Sequence, residues 1–145
     1  MTSYLGRGNA LIDHIHISNI IAEHVSQPFV FHEENNCRIQ NITFDHYHIK
    51  AMCSSWIHAR TPGAVGNLAF RNMEITMEQP PYELPHGPNA IDAAKCSGYL
   101  LDFDLADNVT LENVRITIPA ELAGQWQGKA RFVNCSGIEK RNCNF

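Results

Sequence analysis

Two acidic residues, Asp102 and Asp104, have a spacing that could support chemistry. On a strand, alternate residues share a face and stand roughly 6.5–7 Å apart. That distance suits a carboxyl pair in which one group protonates a departing oxygen and the other activates water, which needs about 6.5–9.5 Å. They are the catalytic candidates. The competing reading makes them solvated carboxylates that keep a strand soluble, because no histidine or third acid is tied to them in the sequence. A second group is His32, Trp56, His58 and Arg60. If Phe29/Phe31 and Ile57/Ala59 point inward, alternation turns Val30/His32 and Trp56/His58/Arg60 outward. An indole can stack on a sugar ring and a guanidinium can pair with a carboxylate, so these are candidate substrate-binding residues. The competing reading is a patch that packs against loops or a neighbouring subunit. His14-Ile15-His16 and His46-Tyr47-His48 each project two imidazoles to one face, as zinc would require. They occupy different registers, and no cysteine or carboxylate completes four ligands. No metal and no cofactor is expected, and the eight histidines instead make the surface responsive to pH near about 6.

These residues are positioned by a repeat. Asn108-Val109-Thr110-Leu111-Glu112-Asn113-Val114-Arg115-Ile116 has the form polar, apolar, any, apolar, any, Asn, apolar, any, apolar. Copies start at His14, Asn41 and Asn67, and a weaker one at Lys129 runs to Cys135. The first apolar positions are Ile15, Ile42, Leu68, Val109 and Ala130, separated by 27, 26, 41 and 21 residues. These are solenoid intervals, one of them stretched by an insertion. Apolar residues at every second position indicate strands with one buried face. The phase break at Asn indicates a bend, because Asn tolerates turn conformations. Stacked coils place Asn19, Asn72, Asn113 and Asn134 in one hydrogen-bonded column, with His46 interrupting it in the second coil. A further strand precedes each repeat, at Phe29-Val30-Phe31, Ser55 to Ala59 and Leu101 to Leu105. The expected fold is all-β, a parallel β-helix of about five coils with an Asn ladder. An antiparallel sandwich is the rival, but it has no need of a kept Asn register.

The 145 residues make a single domain, 1–145, 44% hydrophobic, with no run approaching the roughly 20 apolar residues of a membrane span. A net charge of −4 without a basic stretch argues against nucleic acid. Nothing at the N-terminus reads as a signal peptide, so a cytoplasmic location is expected if Met1 is the natural start. Five cysteines, an odd number, do not make a disulfide framework, although a local Cys135–Cys143 bridge stays open. Met1 to Leu11 is read as a loop. Glu78 to Pro88 is a proline-rich loop that accounts for the insertion, and Pro119 to Gly128, with Trp126, is another.

Coils of this form resemble the right-handed β-helices of the pectin-lyase-like superfamily, and most closely those of polygalacturonase-type glycoside hydrolases, family 28. Gly6-Arg7-Gly8 with His14 to Ile20 resembles the loop and strand after that family's Arg-Ile-Lys motif. Val109 to Ile118, the Trp126 loop and Phe132-Val133-Asn134-Cys135-Ser136-Gly137 resemble its closing coils. The family's Asn-Thr-Asp, Asp-Asp, Gly-His-Gly and Arg-Ile-Lys motifs are absent. Arg38-Ile39-Gln40 is nearest in letters but lacks the lysine, and His86-Gly87 lies in the proline loop. The resemblance therefore implies the C-terminal coils of such an enzyme and carries over no catalytic position.

Three readings follow. One is a pectin-type hydrolase relative without autonomous catalysis. The second is a non-catalytic β-helix that binds a poly- or oligosaccharide, acidic sugars included, through the Trp56/Arg60 face. The third is a structural module that self-associates. A β-helix without end caps exposes unpaired backbone and core columns. A homo-oligomer through its ends is expected, most simply a two-fold dimer of N-terminal coils; neither nucleic acid nor membrane is an expected partner.

Overall fold

The structure is a computed structural model that describes residues 9–33, 37–81 and 97–145, together with the backbone of 2–6. Among the described residues ten strands form: β1 (Thr2–Gly6), β2 (Leu11–Val25), β3 (Phe29–Glu33), β4 (Arg38–Ala51), β5 (Trp56–His58), β6 (Val65–Met77), β7 (Tyr99–Asp104), β8 (Ala106–Thr117), β9 (Gly128–Val133) and β10 (Ser136–Arg141). The odd strands make one five-stranded sheet, β1-β3-β5-β7-β9, and the even strands another, β10-β8-β6-β4-β2. Every pairing is parallel. A chain that alternates between two parallel sheets and advances one place in each per turn is a β-solenoid. Each odd–even pair is one rung, and the described residues make five. No helix occurs among the described residues.

The long strands bend where a residue enters the left-handed region. Asn41, Asn67 and Asn108 do so in one column, with φ of 51–55°, and Asn72, Asn113 and Asn142 in a second, with φ of 51–54°. Asparagine reaches this region at lower cost than most residues, because its short amide bonds locally. In the stack the amides bond across rungs. Asn142 Nδ2 donates to Asn113 Oδ1 at 2.7 Å, Asn113 to Asn72 at 2.9 Å, and Asn108 to Asn67 at 3.2 Å. Where a column holds histidine, the preceding aspartate takes over as acceptor. Asn41 Nδ2 donates to Asp13 Oδ1 at 2.7 Å, and Asn72 Nδ2 to Asp45 Oδ1 at 2.8 Å. The same carboxylates stand 2.9 Å from His14 Nδ1 and 3.0 Å from His46 Nδ1. Both histidines have positive φ, so Asp-His replaces Asn as a two-residue unit. The hydrogen bond from Asn41 is the main cause holding Asp13 below the usual carboxylate range, and that from Asn72 does the same for Asp45.

Three sequence expectations change. Thr2–Gly6 is a strand paired with β3, not part of a loop. Lys129 to Cys135 is not the fifth repeat. β9 covers most of it and pairs with β7 in the odd sheet, and the fifth copy is Ser136 to Asn142, with Ile138 opposite Val109. Asn134 therefore leaves the ladder, and Asn142 takes its place. Asn134 sits instead one rung after Leu105, another left-handed residue, at the corner between sheets. Any such corner suits asparagine, so residue type alone does not say which bend it serves. In the first column the last rung carries Gly137, with φ of 62°. A Cβ there would collide with Asn108 Oδ1. The proline-rich segment lies largely outside the described residues.

The core is the space between the sheets. Phe44 and Phe70 stack at 5.3 Å on adjacent rungs of the even sheet, and Phe29 meets them from the odd sheet at 5.0 and 5.1 Å. Phe103 stacks on Phe132 at 5.0 Å. Trp126, in the loop before β9, is 6% exposed and donates its indole N–H to Gln79 O at 3.0 Å. Cys37, Cys135 and Cys143 are free thiols.

Phe44 touches rings on its own rung and on the next, so Phe44→Ala should cost about 3–5 kcal/mol in chemical denaturation, as deletion of a buried ring does. A cost under about 1 kcal/mol would mean that the stack does not hold the coils together. The ladder carboxylates give a pH test. A depressed carboxylate stabilises the fold above its ordinary pKa of 3.8, and this is lost as pH falls through the lowered folded value. The stability gap between the wild type and an Asp13→Asn/Asp45→Asn variant should therefore narrow below about pH 4. A gap constant between about pH 7 and 3 would refute the assignment.

Candidate functional site

The outer face of the odd sheet brings most of the candidate residues together. Register places Val30 beside Trp56 and His32 beside His58, and His58 beside Asp104. Asp102 is next to Arg131. The intervening Phe31, Ile57 and Phe103 belong to the core, so the alternation expected from sequence holds through these strands. It ends at His58. Beyond it the chain turns, and the N–H groups of Arg60 and Thr61 donate to Glu33 Oε2 at 3.1 and 3.0 Å. Arg60 is exposed and lies outside the strand.

The face is not an open groove. Asp102 has no exposed surface and His32 only 5%. Trp56 and His58 stack with ring centroids 3.7 Å apart and planes at 18°. Arg131 grips Asp102 with two parallel bonds, Nε to Oδ1 at 2.8 Å and a terminal nitrogen to Oδ2 at 2.6 Å. The Arg131 guanidinium carbon also lies 5.3 Å from the Tyr99 ring centroid. His58 Nε2 stands 3.4 Å from Asp102 Oδ2 without hydrogen-bond alignment. Burial pushes the Asp102 pKa up, but the contacts of His58, Arg131 and Ser97 with the carboxylate outweigh it and hold the pKa at about 2. Asp104 is partly exposed and accepts from Asn134 Nδ2 at 3.2 Å.

A general acid must keep its proton near the working pH, which requires a raised carboxyl pKa. Asp102 has the opposite setting, and its two oxygens are already engaged. The solvated-carboxylate reading fails as well, since Asp102 is buried. What the arrangement can do is hold a fixed negative charge beneath an aromatic–imidazole pair. Two polar atoms of that pair, Trp56 Nε1 and His58 Nε2, are buried without hydrogen-bond partners. Arg131, the residue that determines the state of Asp102, was not among the sequence candidates. Assigning Lys129 to Cys135 to a repeat copy of the other sheet hid its place beside Asp102. His14 and His46 go to the ladder, and among the described residues no three His, Cys, Asp or Glu side chains converge as metal ligands.

Arg131→Ala strands a buried carboxylate, so it should destabilise the chain by about 3 kcal/mol, the lower end for a broken buried pair because the arginine is partly exposed. The lowered pKa sets the pH window. The pair's contribution, about 2 kcal/mol, is complete above about pH 4 and is lost as pH falls toward 2. Denaturation midpoints of wild type and Arg131→Ala measured down this range should converge. Parallel curves would rule the pair out as a source of acid sensitivity.

A scan against family models finds no match to this chain, and searches of curated proteins and of solved structures find none either.

Proposed function

We propose that the chain is a carbohydrate-contacting β-solenoid of the polygalacturonase type that does not hydrolyse on its own. The observation that carries the binding half is the Trp56–His58 stack. Its indole N–H has no hydrogen-bond partner, which costs free energy in a buried setting, and its imidazole Nε2 has only the unaligned 3.4 Å approach to Asp102. A sugar hydroxyl reaching them would recover that cost, while the indole offers ring surface to a pyranose. Arg60, exposed just past His58, brings positive charge near the site, which favours an acidic sugar, while the charge of Arg131 is matched by Asp102. The non-catalytic half rests on the missing family motifs and on the ionised, arginine-held Asp102, which cannot donate a proton near neutrality. Asp104 alone does not supply the pair of carboxyl groups that glycoside hydrolysis requires.

A second reading, self-association through the first rung, is favoured by one observation. β2 is the edge strand of its sheet, and Ile12, Ile15, Ile17 and Ile20 are only partly buried there. Two first rungs pairing about a two-fold axis would cover them. Sedimentation at 16.3 kDa at every concentration would remove this reading.

The isolated chain should release no reducing ends from polygalacturonate. Oligogalacturonates at about millimolar concentration should shift backbone resonances around β5 and β7, and Trp56→Ala should abolish those shifts. Hydrolysis that vanishes in Asp102→Asn would overturn the non-catalytic half. An unchanged spectrum at millimolar ligand would remove the binding half.

A further inference from the structure

Asp102 acts on the ring beside it as well as on Arg131. Both of its oxygens accept from the guanidinium, so both present lone pairs and neither carries a proton. Oδ2 also faces His58 Nε2 across 3.4 Å, where the carboxylate has no exposed surface and the nitrogen is buried. A bare lone pair on Nε2 would set acceptor against acceptor with no water to separate them. A proton on Nε2 removes that conflict and places an N–H beside a fixed negative charge. In a neutral imidazole one nitrogen carries the proton and the other accepts. The lone pair therefore falls to Nδ1.

Nδ1 is also the nitrogen that a ligand can meet. It is not buried as Nε2 is, and 14% of the His58 side chain stays exposed. Trp56 lies against the same ring, with centroids 3.7 Å apart and planes at 18°. Its Nε1 can only donate, and it is buried without a partner. The stacked pair thus offers two unlike groups to one ligand, an indole N–H and an imidazole lone pair. A hydroxyl satisfies both, because its oxygen accepts and its hydrogen donates. A carboxylate accepts from the indole but meets the imidazole lone pair with its own. An ether oxygen has the same defect. Asp104, next to His58 across the strands, adds a further acceptor on that side. Arg60 lies beyond the end of β5, past the stack.

We propose, resting on the carbohydrate reading above, that Asp102 is a positioning residue that fixes the His58 tautomer, and that the stack consequently reads the hydroxyl edge of a sugar and not its acid group. An acidic sugar then lies with hydroxyls against Trp56 and His58 and with its carboxylate turned toward Arg60.

Two-bond proton–nitrogen correlation spectra, recorded where the His58 ring is neutral, identify the nitrogen that bears the proton. It should be Nε2. In Asp102→Asn the amide can face Nε2 with its oxygen or its nitrogen, so the ring should no longer hold one tautomer. Titration of the wild type with an oligogalacturonate should move the Nδ1 resonance. Methyl esters on the sugar carboxyl groups should leave that shift in place, and methyl ethers on the hydroxyls should abolish it. His58→Phe keeps a flat ring on Trp56 without the acceptor, so affinity should fall by about tenfold or more. His58→Asn, whose side-chain oxygen stands in for Nδ1, should recover part of the loss. A proton on Nδ1 in the wild type would overturn the proposal whether or not a sugar binds. So would a folded Asp102→Asn chain that keeps the Nε2–H form alone, or a hydroxyl-capped ligand that binds as well as the uncapped one. A proton on Nε2 with no oligosaccharide bound would instead remove the carbohydrate reading and the hydroxyl assignment with it, while the tautomer would stand.

Discussion

Everything in this molecule depends on keeping parallel rungs in register while the chain turns through tight bends. Each bend forces a residue into the left-handed backbone region, and each bend recurs directly above the last. A residue suited to one bend must therefore also be compatible with copies of itself one strand spacing away. Asparagine meets both demands, because its amide both donates and accepts along the column. The core phenylalanines can stack only because the bends hold the coils in line. The ladder and the aromatic column are thus two consequences of one constraint, and the cross-rung bonds are where it is enforced.

The Asp-His units show how narrow the constraint is. A histidine can take the left-handed conformation, but here its ring stays with its neighbour and not with the column. The carboxylate before it supplies the oxygen that the missing asparagine would have given, and Asp13 and Asp45 do so at separate columns with nearly the same geometry. Two positions that read from sequence as a lapse in the ladder and as half of a metal-binding pair are together one structural device. The outer face of the odd sheet carries a comparable tie between rungs, with Arg131 and Asp102 in place of amides.

The fold was legible because its signal is periodic. Alternation gave the strands, and the recurring Asn gave one bend and its column. The second column was also written in the repeat, at Asn41, Asn67 and Asn108, but read only as a polar start. The fifth coil was misread for a physical reason: β9 has the same apolar alternation as a repeat copy, and Asn134 has the same left-handed bend. The site was legible as a face and not as a chemistry. Strand alternation placed His32, Trp56 and His58 together, but the state of Asp102 depends on a partner 29 residues away. That partner can be found only once the rungs are correctly paired. Burial of the face depends on packing that alternation does not encode.

The direction of the ladder has an electrostatic consequence. Side-chain amides bonded in one sense line up their dipoles, as peptide groups do in a helix, with the N–H end toward the first rung and the C=O end toward the last. Asp13 and Asp45 accept amides at the N–H end, while at the C=O end Arg141 is matched by Glu139. This all-β chain therefore has an axis with a sign, carried by its side-chain amides instead of by its backbone.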